Sequence, residues 1–271
     1  MSGFDRFVMV DWSGGNDRGP RPTADAIWIG EAGTHPEYMR NRALAEARLL
    51  DLIEAALAAG QKLCLGFDFP FGYPSGFARA LTGSDDPFRM WDWFEARIED
   101  APKSNNRFDL AGQINRGLGG RGPFWANALK RDIEGLPRTK ADYYNPFPDR
   151  RAVEHLAKGS FTCWQMAGAG AVGSQIMMGL PVLTRLRRAF TGRVAVWPFE
   201  PLHAPIALVE IWPSLTVGPP PKGWIKDAWQ VDQVSRDVGA MSAPDLRAQL
   251  AVSAPEEGWI LGVPQTQRVA A

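Results

Sequence analysis

Two apolar runs that each end on an aspartate constrain this chain most strongly. Residues 7–10 lead into Asp11 and a glycine-rich turn, and residues 63–67 lead into Asp68 and Pro70. A continuous apolar run of this length, stopped by Gly or Pro, is typical of a strand buried on both faces. Because an unpaired buried carboxylate is costly, each aspartate is expected to face a ligand, a cation or water.

The stretch between the two runs predicts how their strands are connected. Residues 24–30 predict a second strand that forms a β-hairpin with the first. Residues 42–59 carry apolar side chains at helical spacing, which predicts a helix. A helix between two buried strands, joined by short loops, favours a parallel crossover. The two strands are then neighbours, and they place Asp11 beside Asp68.

Later segments continue the α/β pattern around one long irregular stretch. Residues 72–170 are rich in Pro, Gly and Trp, contain a predicted helix at 84–100, and are expected to form an inserted lid or subdomain. Three further helices are predicted at residues 175–190, 227–241 and 245–252. Two further strands are predicted at residues 193–198 and 205–213. The sequence therefore predicts a single α/β domain over residues 1–271, with a mixed sheet flanked by helices.

Composition sets broad limits on function. The 271 residues are 45% hydrophobic, and 30 basic side chains balance 30 acidic ones, so no global charge favours nucleic acid or an anionic membrane. The two cysteines, Cys64 and Cys163, cannot build a disulfide framework or a cysteine-rich zinc site. The N-terminal residues lack the pattern of a signal peptide, and there is no apolar run of about 18 residues. We therefore expect a soluble, cytoplasmic protein that does not contact a membrane.

Four acidic residues form the candidate catalytic and metal site. Asp11, Asp68 and Glu210 each lie at or near the end of a predicted buried strand, and Asp232 lies beside the valine stripe of a late helix. Carboxylates brought together repel one another unless a cation holds them, and oxygen ligands suit Mg²⁺ or Mn²⁺. Such ions support phosphodiester cleavage, so these four residues are the predicted metal ligands. An N-cap, a salt bridge or a turn is the ordinary alternative for each.

Other residues are candidates for binding substrate. Ser13 and Gly14 follow the first aspartate in a turn whose backbone N–H groups can approach an oxyanion. Residues 101–160 hold eleven Lys/Arg against six Asp/Glu, an excess of five positive charges. Within that stretch Arg107, Arg116 and Arg121 are candidates for phosphate contacts, and a solvated surface is the equal alternative.

Five stretches in order carry a resemblance to a known family, at residues 10–14, 66–72, 209–213, 226–232 and 257–262. The order hairpin, helix, strand, insertion, helix, two strands and helix is similar to that of the RNase H-like superfamily. More narrowly, the chain resembles a bacterial domain-of-unknown-function family, number four-two-nine, described as predicted RNase H-like nucleases. The resemblance implies a metal-supported hydrolase with Asp11 and Asp68 as ligands, acting on nucleic acid or a nucleotide-like phosphodiester.

The acid on the late helix stays open at this point. Such folds often carry an Asp-Ala pair near the start of their last helix, and here that pair is Asp227-Ala228. Asp232 fits the apolar face of the helix better, and Asp237 is a further alternative.

Three other functions compete with the nuclease hypothesis. A non-catalytic binding or scaffold protein on the same core would hold its aspartates with protein partners. An actin-like or sugar-kinase-like ATP phosphotransferase shares the hairpin core, but Asp11-Trp12-Ser13-Gly14 is one residue longer than the usual Asp-x-Gly loop. Some similar chains carry a label for molybdopterin guanine dinucleotide synthesis, which no residue pattern here supports.

Overall fold

The computed structural model describes residues 3–141 and 143–265, and its centre is a six-stranded mixed sheet flanked by helices. The strands of this sheet are β1 (Arg6–Asp11), β2 (Ile27–Glu31), β3 (Glu37–Met39), β4 (Leu63–Phe67), β7 (Val194–Val196) and β8 (Ile206–Glu210). They lie in the order β3-β2-β1-β4-β8-β7. Two short strands, β5 (Asp100–Ala101) and β6 (Ser104–Asn105), pair with each other apart from this sheet.

Eight α-helices occur in the described residues. They are α1 (Arg42–Ala58), α2 (Phe77–Thr82), α3 (Pro87–Glu95), α4 (Arg107–Gly117), α5 (Ala152–Leu156), α6 (Val172–Ala189), α7 (Lys226–Gly239) and α8 (Ala243–Leu250). A 3-10 turn at Pro213–Leu215 follows β8. Within the described ranges, no helix is long and apolar enough to cross a bilayer.

The connection between the two aspartate-bearing strands is the predicted one. β1 pairs antiparallel with β2 and parallel with β4, and α1 links the hairpin to β4. β4 in turn pairs parallel with β8, so three parallel strands lie at the middle of the sheet. The hairpin and the parallel crossover are therefore confirmed.

The two faces of the sheet bury different helices because side chains alternate along a strand. Val8 and Val10 of β1 belong to a hydrophobic cluster that includes side chains of α1 and α6. Met9 belongs to a second cluster, which includes Val231 and Val234 of α7. The sheet therefore lies between α1 and α6 on one face and α7 on the other.

Residues 72–170 pack against the sheet with their aromatic side chains. Tyr73, Phe77, Phe124 and Trp164 form one set of ring contacts, with centroid separations between 4.6 and 5.8 Å, and belong to the same cluster as Val8 and Val10. The helices α2, α4 and α5 in this stretch were not predicted. α2 and α5 are only six and five residues long, and α4 carries its apolar stripe over 11 residues.

Some predicted boundaries are wrong. The helix expected at 84–100 spans only Pro87–Glu95, because Asp86 caps its first turn through the Phe88 N–H and Pro87 is its first residue. The short edge strand β3 follows the turn at residues 33–36 and has no strong apolar pattern, so it was missed. The late helices begin one to three residues earlier than expected.

Gly30 of β2 sets the distance between the sheet and α7. A Cβ atom at this position would lie 2.7 Å from the backbone carbon and oxygen of Val231, a distance that backbone atoms cannot tolerate. The absence of a side chain therefore lets α7 pack directly on the hairpin.

We predict that Gly30→Ala destabilises the protein by about 1–3 kcal/mol, because the added methyl group pushes against helix backbone. Gly117→Ala is the matched control, since a Cβ there meets no atom within 4 Å. The control should not lower stability, because alanine has a higher helix propensity than glycine. Urea unfolding followed by circular dichroism measures both variants, and equal stability of Gly30→Ala and wild type would contradict the prediction.

Candidate active site

The parallel pairing of β1 and β4 brings Asp11 and Asp68 together. Val10 lies opposite Phe67, and the backbone N–H of Asp68 donates to the Val10 carbonyl at 2.9 Å. Asp11 and Asp68 are the next residues on the two neighbouring strands. Their side chains therefore lie on the same face of the sheet, which is the face that α7 covers.

Neither carboxylate of this aspartate pair accepts a hydrogen bond from any residue that the structure describes. Burial, followed by the negative charges of Asp68 and Asp227, raises the pKa of Asp11 well above its usual range. Burial, followed by Glu210 and Asp227, raises the pKa of Asp68 to about 7. Lys226 opposes both shifts without cancelling them. The site thus carries more negative charge than it can hold without a proton or a cation.

Asp227 is the acid that α7 contributes. It lies in the first turn of the helix, is buried, and accepts a hydrogen bond of 2.6 Å from the backbone N–H of Asp25. Burial raises its pKa, and that hydrogen bond lowers it in part. The Asp-Ala pair of the sequence therefore marks the residue that lies near the aspartate pair.

Asp232 does not join the aspartate pair, which corrects the sequence-based choice. It lies five residues after Asp227, about 140° further around the helix axis. Its carboxylate forms an ion pair of 2.9 Å with Arg236 and accepts a hydrogen bond from Gln233. Asp237 is exposed on the same helix, away from the cavity described below.

Glu210 ends the neighbouring strand but points to the other face of the sheet. It lies opposite Phe67, one position before the row that holds Asp11 and Asp68. Its carboxylate oxygens lie 2.6 and 2.8 Å from the guanidinium of Arg151, and one of them also accepts the Phe71 N–H. The sequence predicts Glu210 as a metal ligand with a salt bridge as the alternative, and both of its carboxylate oxygens accept hydrogen bonds here.

Arg151 is the functional-site residue that the sequence least suggested. Its side chain is 0% exposed and that of Glu210 is 2% exposed, so the ion pair is fully buried. The same guanidinium binds Glu154 at 2.9 Å, and Cys163 lies 3.3 Å from that carboxylate. Burial raises the pKa of Glu210, and Arg151 counters this shift. No spacing in the sequence predicts that residues 59 positions apart will pair.

A cavity of about 770 Å³ opens over the aspartate pair. It lies between the sheet edge, the loop after β1, the start of α4 and the segment that leads into α6. Asp11, Asp68, Glu210 and Asp227 all line it, together with Ser13, Gly14, Arg107, Phe161 and Lys226. Its volume is within the range of about 300–1,000 Å³ that is usual for small-molecule sites.

Ser13 and Gly14 line the cavity but are used by the fold. The Ser13 hydroxyl donates to the Asp25 carbonyl at 3.0 Å and accepts the Gly15 N–H at 3.2 Å. A Cβ on Gly14 would lie 2.7 Å from the Ser174 carbonyl oxygen, so glycine allows the loop to meet the first turn of α6. These two residues shape one wall of the cavity.

The three predicted phosphate-binding arginines separate in space. Arg107 lines the cavity, whereas Arg116 lies beside a different hollow, where its guanidinium donates to the Glu134 carbonyl. Arg121 is exposed and lies outside both. Much of the positive charge in residues 101–160 is paired locally, as in Arg131 with Asp109.

The donor set at the aspartate pair suits a hard divalent cation. Two unpaired carboxylates face the cavity, whereas Glu210 and Asp227 already accept hydrogen bonds. In the described part of the chain, no three Asp, Glu, His or Cys side chains are grouped closely enough to hold an ion. Mg²⁺ commonly binds through one or two carboxylates, with water and substrate oxygens completing its coordination. The residues present therefore fit Mg²⁺ or Mn²⁺ held by Asp11 and Asp68.

Comparisons of the chain with protein-family models, with curated proteins and with solved structures gave no match.

Replacing Asp68 should reverse a pH-dependent loss of stability in metal-free buffer. The Asp68 carboxyl has a pKa of about 7 in the folded protein against an ordinary value of 3.8. The contribution of this carboxyl to folding stability is therefore fully present below about pH 4 and is lost as the pH rises to about 7. Asp68→Asn should be more stable than wild type at pH 8, by a few kcal/mol at most, and equally stable near pH 4.

Thermal unfolding in EDTA at several pH values measures this difference. Asp232→Asn makes the same chemical change outside the cavity and should give no stabilisation at pH 8. A wild-type stability that rises from pH 4 to pH 8 by more than that of Asp68→Asn would contradict the prediction.

Removing Arg151 should be strongly destabilising because it leaves Glu154 and Glu210 buried without a cation. We expect Arg151→Met to cost about 3–5 kcal/mol in urea unfolding at pH 7. Arg79→Met breaks the exposed ion pair with Asp85 and should cost about 0–1 kcal/mol. Similar decreases in the free energy of unfolding of both variants would show that the buried ion pair contributes no more to stability than the exposed one.

Proposed function

We propose that this protein is a Mg²⁺- or Mn²⁺-dependent phosphodiester hydrolase built on an RNase H-like core. The observation that carries the proposal is the aspartate pair, Asp11 and Asp68, at the ends of adjacent parallel strands. The two aspartates are half-buried, lack hydrogen-bond donors to their carboxylates among the described residues, and line a cavity of about 770 Å³. A divalent cation offsets the repulsion between two such carboxylates and supplies the ligand that they lack.

The arrangement of the sheet supports the RNase H-like part of the proposal. An antiparallel hairpin, β1 and β2, continues through the crossover helix α1 into the parallel strand β4, and the acids lie on β1 and directly after β4. The first turn of α7 brings Asp227 to the sheet face that carries Asp11 and Asp68. Residues 72–170 lie between β4 and α6, where the proposed insertion would enter the core.

Each residue of the site has a distinct role in the proposed reaction. Asp11 and Asp68 would hold the ion, which supplies positive charge to the phosphodiester and activates water for attack. Asp227 adds negative potential, and its hydrogen bond from Asp25 keeps its carboxylate oriented. Lys226 and Arg107 line the same cavity and offer positive charge to phosphate oxygens.

A cleavage assay on single- and double-stranded DNA and RNA, with Mg²⁺, Mn²⁺ or EDTA, tests this proposal. We expect activity that requires the divalent ion and falls by at least about 100-fold in Asp11→Asn and in Asp68→Asn. Asp232→Asn carries the same change on α7 outside the cavity and should keep wild-type activity. Equal activity in wild type and both cavity variants would eliminate the proposal.

Metal binding is measured in a separate experiment, so that the metal site is tested even if the chosen nucleic acids are not substrates. Titration of Mn²⁺ followed by electron paramagnetic resonance should show binding to wild type and to Asp232→Asn. The same titration should show no binding to Asp11→Asn, because one of the two proposed carboxylate ligands is lost. A cavity variant that binds Mn²⁺ as wild type does would place the ion elsewhere.

A further inference from the structure

Phe161 presents an aromatic surface at the cavity. Its side chain is 48% exposed although it is large and apolar, and it lines the cavity that contains the aspartate pair. Among the described residues it stacks on no other aromatic ring, in contrast to the buried aromatic set of residues 72–170. Part of its ring rests on Gly170, where a Cβ would overlap the ring atoms. The loop before α6 thus supports the ring and leaves the rest of it free.

Arg107 supplies a positive charge that forms no ion pair with a carboxylate of the described residues. Its Nε donates to the Ser174 hydroxyl at 2.9 Å, and one terminal nitrogen donates to the Asn105 side-chain oxygen at 2.6 Å. Both partners are neutral, and no carboxylate in the described residues lies within ion-pair distance. Arg42, by contrast, is paired with Asp100 at 2.5 Å. An arginine fixed by neutral partners at a cavity wall is suited to binding an anion.

The environment of Arg107 strengthens this interpretation. Burial, followed by the neighbouring charge of Arg42, lowers its pKa to about 10, so it still carries its charge at neutral pH. Its guanidinium also lies over the ring of Phe108, 4.4 Å from the centroid. The side chain is therefore held in place before any ligand arrives.

A flat ring surface, a fixed cation and a pair of unpaired carboxylates line one cavity of small-molecule size. A nucleotide has a matching set of groups, because its planar base stacks on aromatic side chains and its phosphate binds arginine. A base inside a duplex cannot reach an aromatic side chain until it leaves the stack. The combination favours a nucleotide unit that is already unstacked.

We propose that the cavity binds one unstacked nucleotide unit, with its base on Phe161 and its phosphate at Arg107, next to the aspartate pair. This inference rests on the proposed phosphodiester hydrolase and narrows its substrate. The unit can come from the end of a single strand or from a free dinucleotide. Both sources share the chemistry that the cavity recognises.

Binding of defined probes to the full chain in EDTA tests the inference apart from catalysis. The probes are thymidine dinucleotide, a 12-nucleotide thymidine strand, a 12-base-pair duplex and ribose 5-phosphate, measured by isothermal titration calorimetry. Phe161→Ala should weaken the dinucleotide and the strand by about 5- to 100-fold and leave ribose 5-phosphate unchanged. Arg107→Met should weaken all three.

Matched variants exclude general effects of the substitutions. Tyr144→Ala removes an exposed aromatic side chain outside the cavity, and Arg116→Met removes an arginine at the other end of α4. Both should bind every probe as wild type does. Tighter binding of the strand than of the dinucleotide identifies a strand end as the source, and equal affinities identify the free dinucleotide. Either pattern supports the shared site.

Two results would overturn the inference. One is equal affinity of wild type and Phe161→Ala for the dinucleotide, and the other is a duplex that binds more tightly than the strand. Neither result affects the proposed hydrolase, which is judged by metal-dependent cleavage and its loss in Asp68→Asn. Conversely, the expected binding pattern without cleavage of any phosphodiester would reject the hydrolase and keep the nucleotide site.

Discussion

Two negative charges at the ends of adjacent parallel strands are the constraint on which the site depends. The sheet fixes the backbones of Asp11 and Asp68, since Val10 and Phe67 are paired and the Asp68 N–H is bonded to Val10. The backbones that carry the two carboxylates therefore cannot separate without breaking the central ladder. Their repulsion is relieved only by a proton, by a nearby cation such as Lys226, or by a bound ion. The repulsion destabilises the folded protein when no ion is bound. Relief of that repulsion then contributes favourable free energy to the binding of a cation.

A second group of acidic residues has a cationic partner within the protein. Arg151 places one positive charge between Glu154 and Glu210, so two acids share a single base. Both acids therefore have a cationic partner within the protein, which Asp11 and Asp68 lack among the described residues. Glu210 lies one position before the row of Asp11 and Asp68, and side chains alternate along a strand, so Arg151 binds Glu210 and forms no ion pair with either aspartate among the described residues. Through Arg151, Glu210 thus joins residues 72–170 to the sheet, while it also lines the cavity beside the aspartates.

Much of the sheet could be predicted because its signals are local. The apolar runs, the helical stripe of residues 42–59 and the short loops between them are enough to predict a hairpin and a parallel crossover, and hence the position of Asp11 beside Asp68. Glu210 and Asp232 depend on quantities that the sequence does not display. The first needs the register of β8 against β4, and the second needs the rotation of α7 about its axis. A shift of one residue in either one moves a side chain to another face.

Residues 72–170 were harder for a related reason. Their structure is held by contacts between residues far apart in the chain, such as the side-chain amide of Asn115, which bonds to the backbone of Phe124 and Gly135. Pairs of this kind leave no period in the sequence. Arg151 belongs to the same class, because its partners are fixed by tertiary packing. The basic character of the stretch was visible, but which arginine stays free of a carboxylate was not.

Glu256 and Glu257 hold two parts of residues 72–170 in position. Glu257 accepts the backbone N–H groups of Ser75 and Ala152, each at 2.7 Å, and the neighbouring Glu256 accepts that of Gly76 at 2.6 Å. These bonds fix the backbone near the start of residues 72–170 and at the beginning of α5, and hydrogen bonds to charged groups are stronger than neutral ones. Arg151 also donates to the Glu257 carbonyl at 2.9 Å. Glu257 and the buried Arg151 cluster are therefore joined by hydrogen bonds, and Arg151 and Glu154 of that cluster line the cavity.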